Sequence, residues 1–164
     1  MSLEQAIITW IHLVSGAVWV GGSLFIGAVL APILKKMPLT LEERIQMMVT
    51  VGRRFNKIAV PSLIILVATG LYNSHSVLTH PDLLFATSYG SYLFIKVILV
   101  IALIVAFTIH VRIIRKEIED KIIAKEMTEN QIQKLRKKII ILGEIIVTLS
   151  IAILFFAALL DAGV

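Results

Sequence analysis

The side chains that could do chemistry in this sequence are few, and they stand inside apolar stretches. His12, Lys96, His110 and Glu144 are ionisable residues within segments that otherwise have the composition of membrane helices. A charged side chain near the centre of a bilayer is costly, so such residues usually face the interior of a helix bundle and mark a site. Imidazole is also the commonest metal ligand in proteins. These four residues are therefore the first candidates for a functional site.

His12 and Lys96 are expected to lie at the same depth in the membrane. With a rise of about 1.5 Å per residue, each is roughly 10 Å below the outer boundary, on the first and third helices. In an up-down-up-down four-helix bundle these helices are diagonal, whereas neighbouring helices pack about 8 to 10 Å apart. A flat macrocycle with one axial ligand from each side needs the wider diagonal gap. The placement therefore leaves room for a porphyrin between His12 and Lys96.

Three further residues join this predicted site. Gly16 and Trp19 follow His12 at i+4 and i+7, and a glycine one turn from a ligand histidine lets a ring lie against the helix. Small residues at such spacing also serve close helix packing, and that alternative stays open. His75 is a rival partner for His12, from the second helix.

Lys96 has three interpretations: an iron ligand as the neutral amine, a partner of a propionate, or a side chain that snorkels to the headgroups.

His110 and Glu144 form a separate pair of candidates nearer the inner surface. They come from the third and fourth helices and reach a similar depth. A structural pair of histidine and carboxylate is the simpler expectation. A proton path or a second metal site is the alternative.

Composition sets the architecture that must position these residues. The chain has 164 residues, of which 58% are hydrophobic and 16% charged, with a mean hydropathy of +0.92. A soluble domain of this size could not bury so much apolar surface, whereas about 20 apolar residues cross a hydrocarbon core. We expect one all-α domain over residues 1–164, with transmembrane helices at 5–34, 55–76, 89–125 and 129–161. The absence of cysteine excludes disulfides and thiolate ligands.

The distribution of basic residues predicts the orientation. Six lysines and arginines lie between helices one and two, and nine lie between helices three and four. The other connection and both termini contain none, so Lys96 is the one basic residue outside these segments. Basic residues in short loops stay in the cytoplasm, which places both termini outside a cell membrane. The net charge of +5 is thus a topology signal and does not indicate a nucleic-acid partner.

The cytoplasmic segments have helical signals of their own. Two patterns have the spacing of a capping box, Thr40 with Glu43 and Thr128 with Gln131. Between them, isoleucines recur at helical spacing on the way out of helix three and on the way into helix four. This predicts an antiparallel helical extension over residues 111–138, with Glu117 and Lys121 as an i, i+4 ion pair.

Two segments carry a resemblance to a known family. The run HLVSGAVWVGGSLF from His12 to Phe25, the later RRFNKIAVPSLIILVATGLY and a third helix with Lys96 resemble the copper resistance protein D family of small membrane proteins. That superfamily includes the four-helix membrane protoporphyrinogen oxidases, in which a first-helix histidine and a third-helix lysine are linked to b-type haem. The resemblance implies that His12 and Lys96 are the functional pair here.

The resulting expectation is a b-type haem protein of the lipid bilayer that transfers electrons or oxidises a membrane-associated substrate. Quinone is a plausible redox partner because it shares the lipid phase, and a homodimer is possible. Haem is favoured over copper because soft thiolate and thioether ligands suit Cu(I), while cysteine is absent and the methionines lie outside the predicted site. The first alternative is a copper-binding or copper-transport protein with His12, His75 and His80 as ligands. The second is a non-catalytic membrane scaffold.

Overall fold

A computed structural model describes residues 2–80 and 85–163, and every regular element in these ranges is helical. The elements in chain order are α1 (Leu3–Leu24), a π-helical segment (Phe25–Leu30), α2 (Ala31–Lys36), α3 (Leu41–Leu78), α4 (Ser88–Ile113), α5 (Lys116–Ile123) and α6 (Glu129–Ala162). Four segments are long and apolar enough to cross a membrane: Leu3–Lys36, Leu41–His75, Ser88–Ile123 and Glu129–Ala162. The predicted all-helical class with four membrane helices is confirmed.

The second long helix begins well before the predicted residue 55. α3 starts at Leu41, directly after the capping box in which Thr40 and Glu43 satisfy each other's backbone N–H groups. Pro61 is the one proline in this helix, and it lies in the helix interior. A proline inside a membrane helix is tolerated where neighbouring groups satisfy the freed backbone. α3 therefore extends through the basic segment and into the span without interruption.

The third helix is shorter than the predicted 89–125. α4 ends at Ile113, and Arg115 adopts an extended conformation with φ −72° and ψ 164° before α5 begins. The predicted ion pair between Glu117 and Lys121 is wrong, because Glu117 pairs with Arg115 instead, at 3.1 Å between Nε and Oε2. That arginine precedes the first turn of α5, so its cation is closer to Glu117 than a lysine one turn further along.

The four long helices pack as two pairs. α1 lies along α3, and α4 lies along α6. The pairs meet mainly where α1 contacts α6, with further contacts of α3 to α5 and α6, whereas α1 and α4 are not closely packed within the described residues. Trp19 lies at the junction: its indole donates to Ser150 Oγ at 3.0 Å and meets the Phe107 ring edge-to-face at a centroid distance of 4.7 Å.

A second core lies at the end of the bundle that contains α2, the start of α3, and α5, which we call the basic end. Its buried members are Ile45, Val49, Ile114, Ile122, Ile132, Leu135 and Ile139. The predicted isoleucine stripe is thus confirmed in part, although Ile123 is exposed. The side chain of Glu119 on α5 is buried and meets Thr50 and Arg53 of α3. The extension of α3 and the α5 segment therefore form one packed unit.

Candidate functional site

The imidazole of His12 is held by the neighbouring helix α3. Its Nδ1 lies 2.7 Å from Thr69 Oγ1. The same hydroxyl lies 2.6 Å from the carbonyl oxygen of Ile65, to which it donates, as threonines in helices often do. A hydroxyl has one proton, and with that proton donated to Ile65, Thr69 accepts from His12. This assignment places the ring proton of the neutral imidazole on Nδ1.

This arrangement leaves Nε2 of His12 with its lone pair. The contact at Nδ1 is the side-chain hydrogen bond of the ring within the described residues, and the Leu66 carbonyl also acts on the imidazole. Histidines that bind metals usually donate their other N–H to an oxygen, which fixes the tautomer and the ring orientation. His12 has that arrangement, with Thr69 as the orienting group.

A glycine makes room for the ring. A Cβ atom built on Gly70 would lie 3.4 Å from His12 Cε1, closer than most real contacts of this kind. Thr69 and Gly70 thus act together, since one holds the imidazole and the other lets it approach the α3 backbone.

Lys96 lies on α4 with a half-buried side chain, and its positive charge acts on the imidazole of His12. Among the described residues, no carboxylate lies within ion-pair distance of Lys96. α1 and α4 are not closely packed within these residues. That His12 and Lys96 form one site therefore stays a prediction.

The other predicted site residues have different surroundings. Gly16 faces α3, where a Cβ would lie 3.7 Å from Leu66 Cδ2, which fits the helix-packing alternative. Trp19 is 2% exposed and belongs to the central apolar core. His75 is exposed near the end of α3, six residues beyond Thr69, and it makes no hydrogen bond to His12 in the described part of the chain. Of the predicted site residues, only Lys96 acts on the imidazole, through its charge.

His110 and Glu144 line one cavity at the basic end of the bundle. No hydrogen bond or ion pair joins them in the described part of the chain. The expected structural pair is therefore not formed, although both side chains face the same space.

A site with three protein ligands is not assembled in the described residues. No group of three or more histidine, aspartate or glutamate side chains is close enough to hold a metal ion there. His12, His75 and His80 do not form such a group, contrary to the copper alternative as stated from the sequence.

Sequence reasoning missed Thr69 and Gly70. They stand together in the run LVATGLY of the second span, where a polar residue followed by glycine interrupts an aliphatic segment. That pair was a usable signal, because a threonine in a membrane helix tends to hydrogen-bond within its helix or across to a neighbour.

Comparisons with known proteins bear on both the fold and the site. A family model described as copper resistance protein D matches residues 49–160 of this chain, a range that includes Thr69 and Lys96 but not His12. A protein of Aquifex aeolicus (strain VF5), described as uncharacterized, is 37% identical over 76 residues, which are 46% of this chain. The match spans about half of that relative, 51% of its length. No solved structure matches the chain.

Proposed function

Because the chain belongs to the copper resistance protein D family, we propose that this multi-pass membrane protein handles copper as its cargo. His12 and Lys96 supply two nitrogen ligands in this proposal, the lysine as its neutral amine, so that copper binding releases the Lys96 proton. The description of the family favours the copper alternative over the haem expectation. The absence of thiols points to a nitrogen site, since imidazole suits copper and nitrogen ligands are typical of Cu(II).

The observation that carries the proposal is the 2.7 Å contact between His12 Nδ1 and Thr69 Oγ1. With Thr69 accepting the hydrogen bond from Nδ1–H, Nε2 keeps its lone pair and can bind a metal without first losing a proton.

The proposal includes an orientation of the bundle. The helices run up-down-up-down with both termini outside, so that the basic end faces the cytoplasm and the His12 site lies in the outer half. Glu4 and Asp161 lie at that outer end, and the segments there contain no lysine or arginine other than Lys96. Carboxylates without nearby cations raise the local concentration of metal cations. Copper would therefore reach His12 from the outside.

Copper binding by the purified protein is the test. Equilibrium dialysis against Cu(II), followed by metal analysis, should show a saturable site in the wild type that is lost in His12→Ala. His75→Ala is the matched control, because this imidazole is exposed and distant from Thr69. Equal copper binding by the wild type and His12→Ala would contradict the proposal.

A b-type haem at the same pair is the second candidate. The separation of His12 and Lys96 on helices that do not pack closely favours it, because a macrocycle needs room between its axial ligands. Bound haem would supply one-electron chemistry, with quinone as a membrane-soluble partner. In that case His12 would bind the haem iron, and Thr69 would keep the imidazole in orientation.

Absorption spectra separate the two candidates. Protein produced with haem supplied, then reduced with dithionite, should show a sharp α band only if haem binds, and His12→Ala should weaken that band. A flat spectrum together with bound copper supports the copper proposal. A flat spectrum with no bound copper would leave a passive helical scaffold.

A further inference from the structure

A cavity of about 670 Å³ lies at the basic end, apart from the His12 site. The end of α1, the π-helical segment and α2 form one wall, and α3, α4 and α6 form the rest. Several of its lining residues are exposed, among them Leu24 and Ala28 on one side and Ile140 and Thr148 on α6. The cavity therefore opens sideways between the first and last membrane helices, toward the position of the lipid.

Small residues keep this cavity open. Gly27, Ala28 and Ala31 line it from the π-helical wall, and Gly143 lines it from α6. A Cβ at Gly143 would meet nothing within 4 Å, and one at Gly27 would meet only Val147 at 4.0 Å. A π-helical segment inside an α-helix is uncommon and often marks a functional site. Here it widens the turn of the helix that borders the cavity.

The charges in the lining are concentrated at one end. Lys35, Arg44 and Arg136 approach from α2, α3 and α6, all at the basic end. Arg44 donates from Nη2 to the carbonyl of Leu39 at 3.1 Å. Its Nε is buried and has no hydrogen-bond partner among the described residues. These three cations and the unpaired Arg44 donor lie at the edge of an apolar space. The lining therefore fits a ligand that has an anionic head group and an apolar chain.

We propose that this cavity binds a phospholipid with an anionic headgroup from the leaflet at the basic end. The phosphate lies among Lys35, Arg44 and Arg136, and an acyl chain enters between the π-helical wall and α6. The volume lies in the range of about 300 to 1,000 Å³ that is usual for ligand sites, and basic pockets between membrane helices are known to hold anionic headgroups.

The acidic group in the lining does not oppose this placement. Glu144 is eight residues beyond Arg136 on α6, roughly 12 Å along the helix, so it lies beside the acyl region and not beside the phosphate. His110 and Asn56 are the polar groups that face the cavity from α4 and α3. They can bind the glycerol and ester oxygens of the lipid.

Trp19 provides the readout, because it lines the cavity and the chain has only two tryptophans. A Trp10→Phe background leaves Trp19 as the sole fluorophore; Trp10 is 64% exposed, so the change should be tolerated. This protein is placed in phosphatidylcholine vesicles containing brominated phosphatidylglycerol or, in parallel, brominated phosphatidylcholine. Bromine quenches a nearby indole, so the ratio of the two quenching constants measures preference for the anionic lipid.

Two pairs of variants make the measurement specific. Lys35→Gln should reduce the preference about five-fold, which corresponds to about 1 kcal/mol per basic residue at a membrane surface. Lys36→Gln, its exposed neighbour outside the cavity lining, should leave the preference unchanged. Gly143→Leu fills the cavity and should remove most of the quenching. Gly21→Leu adds the same side chain in open space on α1, outside the lining, and should not.

Several results would overturn the proposal. Equal quenching by the two brominated lipids shows that the cations do not select a headgroup. Equal effects of Lys35→Gln and Lys36→Gln show that only the general surface charge matters. Quenching that survives Gly143→Leu shows that the lipid contacts Trp19 from outside the cavity. Copper binding at His12 is independent of all three results.

Discussion

Replacement of Thr69 by valine tests how the site is prepared for a metal. Thr69→Val keeps the shape of the side chain but removes the acceptor 2.7 Å from His12 Nδ1. The imidazole can then rotate and can place its proton on either nitrogen. Loss of such an orienting partner typically weakens metal affinity by about 10-fold to 100-fold, equivalent to roughly 1.4 to 2.7 kcal/mol.

The effect on folding should be smaller than the effect on binding. The half-buried Nδ1–H loses one hydrogen bond, which contributes about 1 kcal/mol to stability. Thr108→Val is the matched control, because Thr108 on α4 also donates to the carbonyl four residues earlier but has no contact with His12. Cu(II) affinity is measured by competition with a chelator, and the histidine tautomer by ¹⁵N nuclear magnetic resonance.

Two results would refute the role assigned to Thr69. If Thr69→Val and Thr108→Val bind Cu(II) with the affinity of the wild type, Thr69 does not prepare His12 for a metal. If the resonances show a proton on Nε2 of His12 in the wild type, the assigned tautomer is wrong.

Two further predictions concern the scaffold. Gly22→Ala should destabilise the protein by about 1 to 3 kcal/mol, because the added Cβ would lie 2.2 Å from the Phe55 ring. Gly21→Ala is the control and should leave the stability unchanged, since its Cβ would meet nothing within 4 Å. Equal melting temperatures of the two variants would contradict the packing of α1 on α3. Glu119→Ala should expose the α5 segment to protease, because this carboxylate is buried against α3. Glu117→Ala should leave the cleavage rate unchanged, because the Glu117 side chain is 70% exposed. Equal cleavage of the two variants would show that Glu119 does not hold α5.

The long helices were predictable because membrane spans are set by length and apolarity. The capping boxes at Thr40 and Thr128 were predictable as well, since they depend on residues three apart in the chain. The start of α3 was not predicted. The prediction began this helix at residue 55, but the preceding residues already form a helix that packs on the basic-end core. Tertiary packing therefore extends the helix beyond its apolar span.

Of the candidate site, the sequence singled out only His12 and Lys96 and not the groups around them. His12 and Lys96 stood out because ionisable groups are costly in apolar segments. The hydrogen bond from His12 to Thr69 depends on how α1 is rotated against α3, which sequence spacing along one helix does not determine. The spacing of Trp19 and His12 placed them on one face of α1. Trp19 nevertheless belongs to the core, because Ser150 of α6 and Phe107 of α4 contact it.

Pulsed electron paramagnetic resonance of the Cu(II)-loaded protein tests the central claim most directly. A copper ion bound by an imidazole produces modulations from the remote ring nitrogen. The account predicts that these modulations appear in the wild type, persist in His75→Ala and vanish in His12→Ala. Modulations that persist in His12→Ala would show that copper binds elsewhere, and the site described here would not be the one that holds the metal.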